Sequence, residues 1–146
     1  MTQQGGQAPE GESTAHLGDD YLAELAARGA MSPEEDAAVA ALPEGSALLF
    51  VRRGPNAGAR FLLDVDESIA GRHPDAQIFL DDVTVSRRHA AFLRTPEGFA
   101  VADLGSLNGT YKNGDLIEAV PLQDGDEVQV GKFRLVFFAS RRGERA

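Results

Sequence analysis

From residue 46 onward, apolar runs of three to eight residues alternate with turn residues. The runs at 47–53, 59–65, 68–71, 77–80, 89–95, 98–103, 110–112, 126–130 and 132–139 predict short strands. Between them stand Gly54-Pro55-Asn56-Ala57-Gly58, His73-Pro74-Asp75, Pro96-Glu97-Gly98, Asn113-Gly114 and Asp124-Gly125. These residue types supply the backbone conformations of tight turns. Asn113-Gly114 is the two-residue pattern of a type I′ hairpin, in which both central residues need positive φ. No helical period of any length runs through this region, and no internal repeat is visible. Many short strands with frequent turns predict an all-β fold, a sandwich of two sheets.

The first 45 residues read differently. Gly, Gln, Glu and Ala dominate, with few large apolar residues, which is the composition of a mobile segment. Two short helices are expected within it. Asp19 or Asp20 would cap a helix over 21–28, in which Tyr21, Leu22 and Leu25 share a face. Ser32-Pro33-Glu34-Glu35 places Ser at the N-cap, Pro at the first helical position and Glu at the third. That helix would run to about Leu42, with Pro43 as its stop. Neither piece is long enough to hold its shape alone in water. The expected organisation is a flexible acidic segment over 1–45, a β domain over 46–140 and a disordered basic tail over 141–146.

Charge sharpens this division. The 146-residue chain carries a net charge of −9. Residues 1–45 hold nine acidic side chains and one basic one, Arg28, whereas 46–140 hold thirteen acidic and ten basic. A protein that works by neutralising nucleic-acid phosphates is usually basic, so nucleic-acid binding is disfavoured, as is docking on anionic lipid. Cysteine is absent, which excludes disulfides, thiolate metal sites and Cys nucleophiles. The start of the chain has no basic-then-apolar leader pattern and no stretch approaches spanning length, so a cytoplasmic location is expected.

Catalytic patterns are missing. The loop from Gly105 to Thr110 is Gly-rich but lacks the Lys of a nucleotide P-loop. His16, His73 and His89 do not fall at metal-ligand spacing, and Asp81-Asp82 lacks the alternating acids of a calcium loop. Ser86, His89 and Asp103 contain the three residue types of a hydrolase triad, but no nucleophile elbow surrounds Ser86. The expectation is no enzyme, no cofactor and no metal.

A different chemistry emerges from three loops. Gly71-Arg72 ends one predicted strand, Ser86-Arg87-Arg88-His89 opens another, and Asn108-Gly109 precedes a third. Loops of a sandwich cluster at its two ends, so separated loops can form one patch. Arg72 offers a planar fork of donors suited to phosphate oxygens. Arg87 or Arg88 adds a second cation, Ser86 a hydroxyl, and Asn108 both donors and an acceptor for a peptide backbone. A cationic pocket beside a backbone clamp is the chemistry of phosphopeptide recognition.

Together, in this order and context, these residues resemble the signature of forkhead-associated (FHA) domains. The resemblance covers about residues 46–140. The stretches 71–90 and 103–111 are similar to an actinobacterial branch of that family, whose members regulate glycogen accumulation and oxoglutarate dehydrogenase. The resemblance implies an eleven-stranded β-sandwich preceded by a largely disordered, partly helical acidic segment. It implies that Arg72 and Ser86 bind phosphate, that Arg87 supports it, and that Asn108 holds the peptide backbone beside phosphothreonine. Leu107 would pack against the threonine methyl and disfavour phosphoserine. Gly71, His89 and Gly109 would be architectural. Arg88 receives no role, because strand alternation would turn it away.

The same branch implies partners. Its N-terminal segment carries an acidic-Thr-Thr motif that Ser/Thr protein kinases phosphorylate, and the phosphothreonine docks on the protein's own domain. Glu12-Ser13-Thr14-Ala15-His16-Leu17 is similar in placement, with Thr14 the expected acceptor and Ser13 the lesser one. Ser13, Ala15 and His16 depart from that motif. By resemblance the chain is a monomer. Its unphosphorylated form would inhibit 2-oxoglutarate dehydrogenase or decarboxylase and act on glutamate dehydrogenase and glutamate synthase. The alternative is a plain phosphothreonine adaptor whose tail is inert.

Overall fold

The computed structural model describes residues 31–142. Ser13, Thr14, the helix expected over 21–28 and residues 143–146 lie outside the described residues. The chain divides into two compact units, one ending at Asp36 and the other beginning at Ala37.

Helix α1 spans Pro33–Ala40. Its start is the expected capping box: Glu35 N–H donates to Ser32 Oγ at 3.1 Å, and Ser32 N–H donates back to Glu35 Oε1 at 3.1 Å. It ends two residues before the expected Leu42. Leu42 N–H reaches Val39 O, three residues back, at 3.1 Å, a tightened final turn ahead of Pro43. Within the second unit, Val39 and Leu42 are buried, and Ser140 Oγ donates to Leu42 O at 3.0 Å. Residues ahead of 46 thus contribute to the packing of that unit.

Eleven strands follow: β1 (Ala47–Arg53), β2 (Arg60–Leu63), β3 (Glu67–Gly71), β4 (Ile78–Phe79), β5 (Ala90–Thr95), β6 (Gly98–Asp103), β7 (Thr110–Lys112), β8 (Asp115–Ile117), β9 (Ala119–Leu122), β10 (Glu127–Val130) and β11 (Phe133–Ala139). They form a six-stranded sheet in the order β2-β1-β11-β10-β7-β8 and a five-stranded sheet in the order β4-β3-β5-β6-β9. All pairings are antiparallel except β3 with β4. Asn113 (φ 51°) and Gly114 (φ 90°) make the turn between β7 and β8, as the type I′ pattern requires.

The core lies between the sheets. Leu49, Val51, Leu135 and Phe137 from one sheet meet Phe92, Phe99 and Val101 from the other. Phe99 and Phe137 bridge the layers with ring centroids 5.7 Å apart. Burial of this kind stabilises by roughly 1.5–3 kcal/mol for each large side chain. Strands β1 and β11 are also buried at the alternate positions Leu48, Phe50, Val136 and Phe138, which the two-layer core does not include. Phe50 packs edge-on against Phe138, and the Arg52 and Arg60 guanidinium groups lie 5.3 and 5.6 Å from its ring centroid.

Candidate functional site

The residues singled out in the sequence come from three loops, after β3, before β5 and before β7. Gly71 explains how the first two approach. A Cβ added there would stand 2.0 Å from the Arg87 carbonyl oxygen, so only glycine lets the end of β3 lie against residues 86–88. The backbone then continues the ladder: Arg72 N–H donates to Ser86 O at 3.0 Å and His89 N–H to Ala70 O at 2.9 Å.

Arg72 is exposed, but it is not loose. Its Nε–H donates to Val85 O at 3.1 Å, which fixes the stem and leaves the terminal guanidinium nitrogens as donors. Arg87 is exposed as well. Together with Arg88 it borders a neighbouring cleft of about 350 Å³ that His73, Asp75 and Gln77 also line. Arg88 shares this cleft with Arg87, and neither Arg72 nor Ser86 lines it.

Three side-chain hydrogen bonds, beside the backbone bond from Leu104 N–H to His89 O at 2.9 Å, join the loop before β5 to the loop before β7. Leu107 N–H donates to Ser86 Oγ at 3.0 Å, and the Ser86 hydroxyl keeps its own proton to donate elsewhere. Asn108 Nδ2 donates to Thr84 O at 3.0 Å, leaving its carbonyl oxygen and second N–H. The third bond runs through His89, which is fully buried. Its Nδ1 accepts Ser86 N–H at 3.1 Å, so Nε2 carries the proton and donates to Gly109 O at 2.8 Å. His89 is thus a strut between loops in a single tautomer. Gly109 has φ +85°, where other residues are strained.

This arrangement is not a catalytic triad. His89 bonds the backbone of Ser86, not its hydroxyl, and Asp103 bonds neither of them. Asp103 instead gathers the loop before β7. Its carboxylate accepts from Ser106 Oγ, from Thr110 Oγ1 at 2.7 Å, and from the N–H groups of Gly105 and Ser106 at 2.9 and 3.1 Å. Burial pushes this carboxyl up, but the Ser106 and Thr110 hydroxyls and the two N–H groups outweigh it and hold it below the ordinary 3.8. A depressed folded-state value means stability that is present above pH 3.8 and lost as pH falls through the lowered value. Asp103→Asn is therefore expected to be less stable than the natural chain at about pH 7, with the gap narrowing as pH falls below 3.8. Urea unfolding followed across that range checks this.

Sequence reasoning assigned no role to Thr84, Ser106 or Gly131. Thr84 donates through N–H and Oγ1 to Asp82 Oδ2, at 2.9 and 2.6 Å, and these bonds hold the Asp82 carboxyl below its ordinary value. Thr84 Oγ1 in turn accepts Lys132 N–H at 2.9 Å. A Cβ on Gly131 (φ +59°) would lie 2.5 Å from that oxygen, so the turn between β10 and β11 seats directly on the Thr84 loop. The readable signals were Asp-x-Thr at 82–84 and Asp-x-x-Ser at 103–106, spacings at which a carboxylate bonds a neighbouring backbone.

At the rim, Val83 and Leu107 are 86% and 89% exposed. The result is a rigid platform of backbone-bonded loops that presents guanidinium groups, one hydroxyl proton, a side-chain amide and an exposed leucine. Such a surface suits a dianionic, multi-acceptor group carried on a peptide. Among the described residues no cluster of His, Cys, Asp or Glu suits a metal ion, and no helix is long and apolar enough to cross a membrane.

Comparison with known proteins gives the same picture. The model of the FHA domain matches residues 69–131. The oxoglutarate dehydrogenase inhibitor of Corynebacterium jeikeium is 56% identical over 126 residues, covering 86% of this chain and 87% of that protein. The glycogen accumulation regulator GarA of Mycolicibacterium smegmatis is 54% identical over 134 residues, covering 91% of this chain and 85% of that protein. A solved structure from work on phosphothreonine-dependent FHA domain interactions superposes with a TM-score of 0.58 at 33% identity, covering 63% of this chain and 94% of that one.

Proposed function

Because this chain belongs to the family of FHA-domain regulators that includes the oxoglutarate dehydrogenase inhibitors and GarA, we propose that Arg72, Ser86, Arg87, Leu107 and Asn108 form its phosphothreonine receptor. Arg72 and the Ser86 hydroxyl bind the phosphate, with Arg87 supporting its charge. Asn108 holds the peptide backbone, and Leu107 covers the threonine methyl. Gly71, His89 and Gly109 support them. The observation that carries this reading is the set of three side-chain bonds joining the loops of Ser86 and Asn108, at 3.0, 3.0 and 2.8 Å. Holding Ser86, Leu107 and Asn108 together before any ligand arrives would lower the entropic cost of binding.

The protein then acts as a regulator, not an enzyme. Unphosphorylated, it binds and inhibits 2-oxoglutarate dehydrogenase or decarboxylase through this face, and it acts likewise on glutamate dehydrogenase and glutamate synthase. A Ser/Thr protein kinase phosphorylates Thr14, or less readily Ser13, and the tail docks on the protein's own receptor and displaces the enzymes. The chain permits this. Thirty-two residues separate Thr14 from Ser46. A flexible linker of that length spans about 30 Å on average, against a domain radius of gyration of about 13 Å. An effective concentration of roughly 1 mM against a peptide Kd of about 1 μM favours closure about 1,000-fold, or roughly 4 kcal/mol. Phosphorylation supplies about −1.5 to −2 charge, without which the pocket stays open.

The test is inhibition of a purified 2-oxoglutarate dehydrogenase complex by the full chain before and after kinase treatment. Inhibition that disappears on phosphorylation and persists in a kinase-treated Thr14→Ala chain is the expected result. Inhibition indifferent to phosphorylation would make the tail inert, as the departures at Ser13, Ala15 and His16 favour, and no inhibition by either form would leave the plain adaptor.

A further inference from the structure

Beside Asn108 a groove of about 530 Å³ opens onto the six-stranded sheet, lined by Asn108, Tyr111, Gln129, Lys132 and Arg134 among others. Tyr111, Gln129 and Arg134 are register neighbours across β7, β10 and β11, and Arg53 of β1 pairs with Arg134. Gln129 alternates with the core residues Val128 and Val130, so this row lies on the sheet face away from the core. Lys132 and Arg53 are exposed and Arg134 half-buried. None of the three belongs to the phosphate cluster.

Nearby acids cancel this charge only in part. Glu127 Oε1 lies 3.9 Å from Arg134 Nη1 with 36% and 42% of the two side chains exposed, a long and partly solvated contact that is worth little. Asp82, kept ionised by two Thr84 hydrogen bonds, offsets part of the Lys132 charge. Residues 46–140 carry more acidic than basic side chains, so Arg134 and Arg53 in one row, with Lys132 on the same groove as Arg134, depart from the general surface.

We infer that this groove binds acidic residues five and six positions C-terminal to a receptor-bound phosphothreonine. The inference rests on the phosphothreonine reading and adds a second contact region to it. The groove begins at Asn108, the proposed backbone clamp, and so continues the path of a bound peptide. Adjacent strands lie about 4.8 Å apart, so the row from Tyr111 to Arg53 crosses roughly 14 Å. An extended peptide advances about 3.3 Å per residue. Acids five or six residues away therefore arrive some 17–20 Å along, over Lys132, Arg134 and Arg53. Acids two residues away remain beside the phosphate. The chain's own sequence has this pattern: Asp19 and Asp20 stand five and six residues after Thr14, whereas Glu12 and Glu10 stand two and four before it. A tail docked at Thr14 would gain specificity from charges that an arbitrary phosphothreonine peptide lacks.

The experiment is fluorescence anisotropy with the full unphosphorylated chain. The probe is a labelled peptide of residues 8–24 phosphorylated at Thr14. Asp19→Asn with Asp20→Asn in the peptide is expected to weaken binding about 10-fold. Lys132→Ala with Arg134→Ala in the chain is expected to weaken the natural peptide equally. The altered peptide on the altered chain should lose nothing more, since each removes the same contact. Lys132→Gln with Arg134→Gln, checked for unchanged Tm, repeats the measurement with side-chain volume kept. Independent losses, no loss, or sensitivity transferred to Glu10→Gln with Glu12→Gln overturn the inference. An Arg72→Ala chain separates the two claims. If it loses all peptides while the groove variants do nothing, only the groove fails; if it binds them unchanged, the phosphothreonine reading fails.

Discussion

Replacing Arg72 by alanine is expected to abolish phosphopeptide binding at ordinary concentrations while leaving the fold intact. Arg72 is exposed and its guanidinium makes one described contact, Nε–H to Val85 O. Losing that bond costs about 1 kcal/mol of stability at most. The terminal nitrogens are the strongest donors facing the proposed phosphate. Truncating one partner of a charge-assisted, forked contact costs about 2–5 kcal/mol, which is an affinity loss of roughly 30-fold to several thousand-fold. Arg72→Lys should fall between, because it keeps the charge but not the fork or the Nε anchor. Calorimetric titration of each variant with a phosphothreonine peptide measures this, with urea unfolding as the control. An Arg72→Ala chain that binds within a factor of three of the natural one would remove Arg72 from the site.

Gly71→Ala is expected to fail for the opposite reason. It touches no ligand, yet its methyl group would sit 2.0 Å from the Arg87 carbonyl oxygen and 2.7 Å from its carbon. Backbone cannot rotate away as a flexible side chain can, so the end of β3 and residues 86–88 must part. Overpacking of this kind costs roughly 3 kcal/mol, or a Tm lower by about 10 °C or more for a domain of this size. The same displacement strains the bonds from Arg72 N–H to Ser86 O and from His89 N–H to Ala70 O. Phosphopeptide affinity should therefore fall even well below the Tm. Gly105→Ala is the comparison, since Gly105 has φ +75° but nothing within 4 Å of an added Cβ. It should cost only about 1–2 kcal/mol of backbone strain. Gly71 has no positive φ, so an effect no larger than that of Gly105→Ala would show that the close approach at Gly71 is relieved at little cost.

The fold was legible where periodicity and turn chemistry agree. Asn113-Gly114 read correctly as a hairpin turn, and Ser32 to Glu35 as a helix start. Strands β8 and β9 were not read as apolar runs. They have three and four residues, each is largely exposed, and Pro121 interrupts β9. Only the family resemblance supplied a count of eleven. Burial of Leu48, Phe50, Val136 and Phe138 was also hidden, because a strand buried on both faces shows no alternation.

The candidate site divides in the same way. Arg72, Ser86 and Asn108 stood out because their chemistry is specific to a charged ligand. Thr84, Asp103 and Ser106 did not, because their work is to bond one another and the backbone. Their marks, Asp-x-Thr at 82–84 and Asp-x-x-Ser at 103–106, are common loop spacings that say nothing of a ligand. His89 lies between the two cases. Its position in the motif was visible, but its span from Ser86 N–H to Gly109 O is a tertiary fact.

In the proposed function Ser86, Leu107 and Asn108 present one phosphothreonine receptor together with Arg72. The most direct measurement is a heteronuclear NMR titration of the isotope-labelled full chain with the peptide of residues 8–24, phosphorylated or not at Thr14. Only the phosphorylated peptide is expected to shift the backbone amides of Arg72, Ser86, Arg87 and Leu107 and the side-chain amide of Asn108. Shifts that are the same for both peptides, or that leave these residues unmoved while others respond, would contradict it.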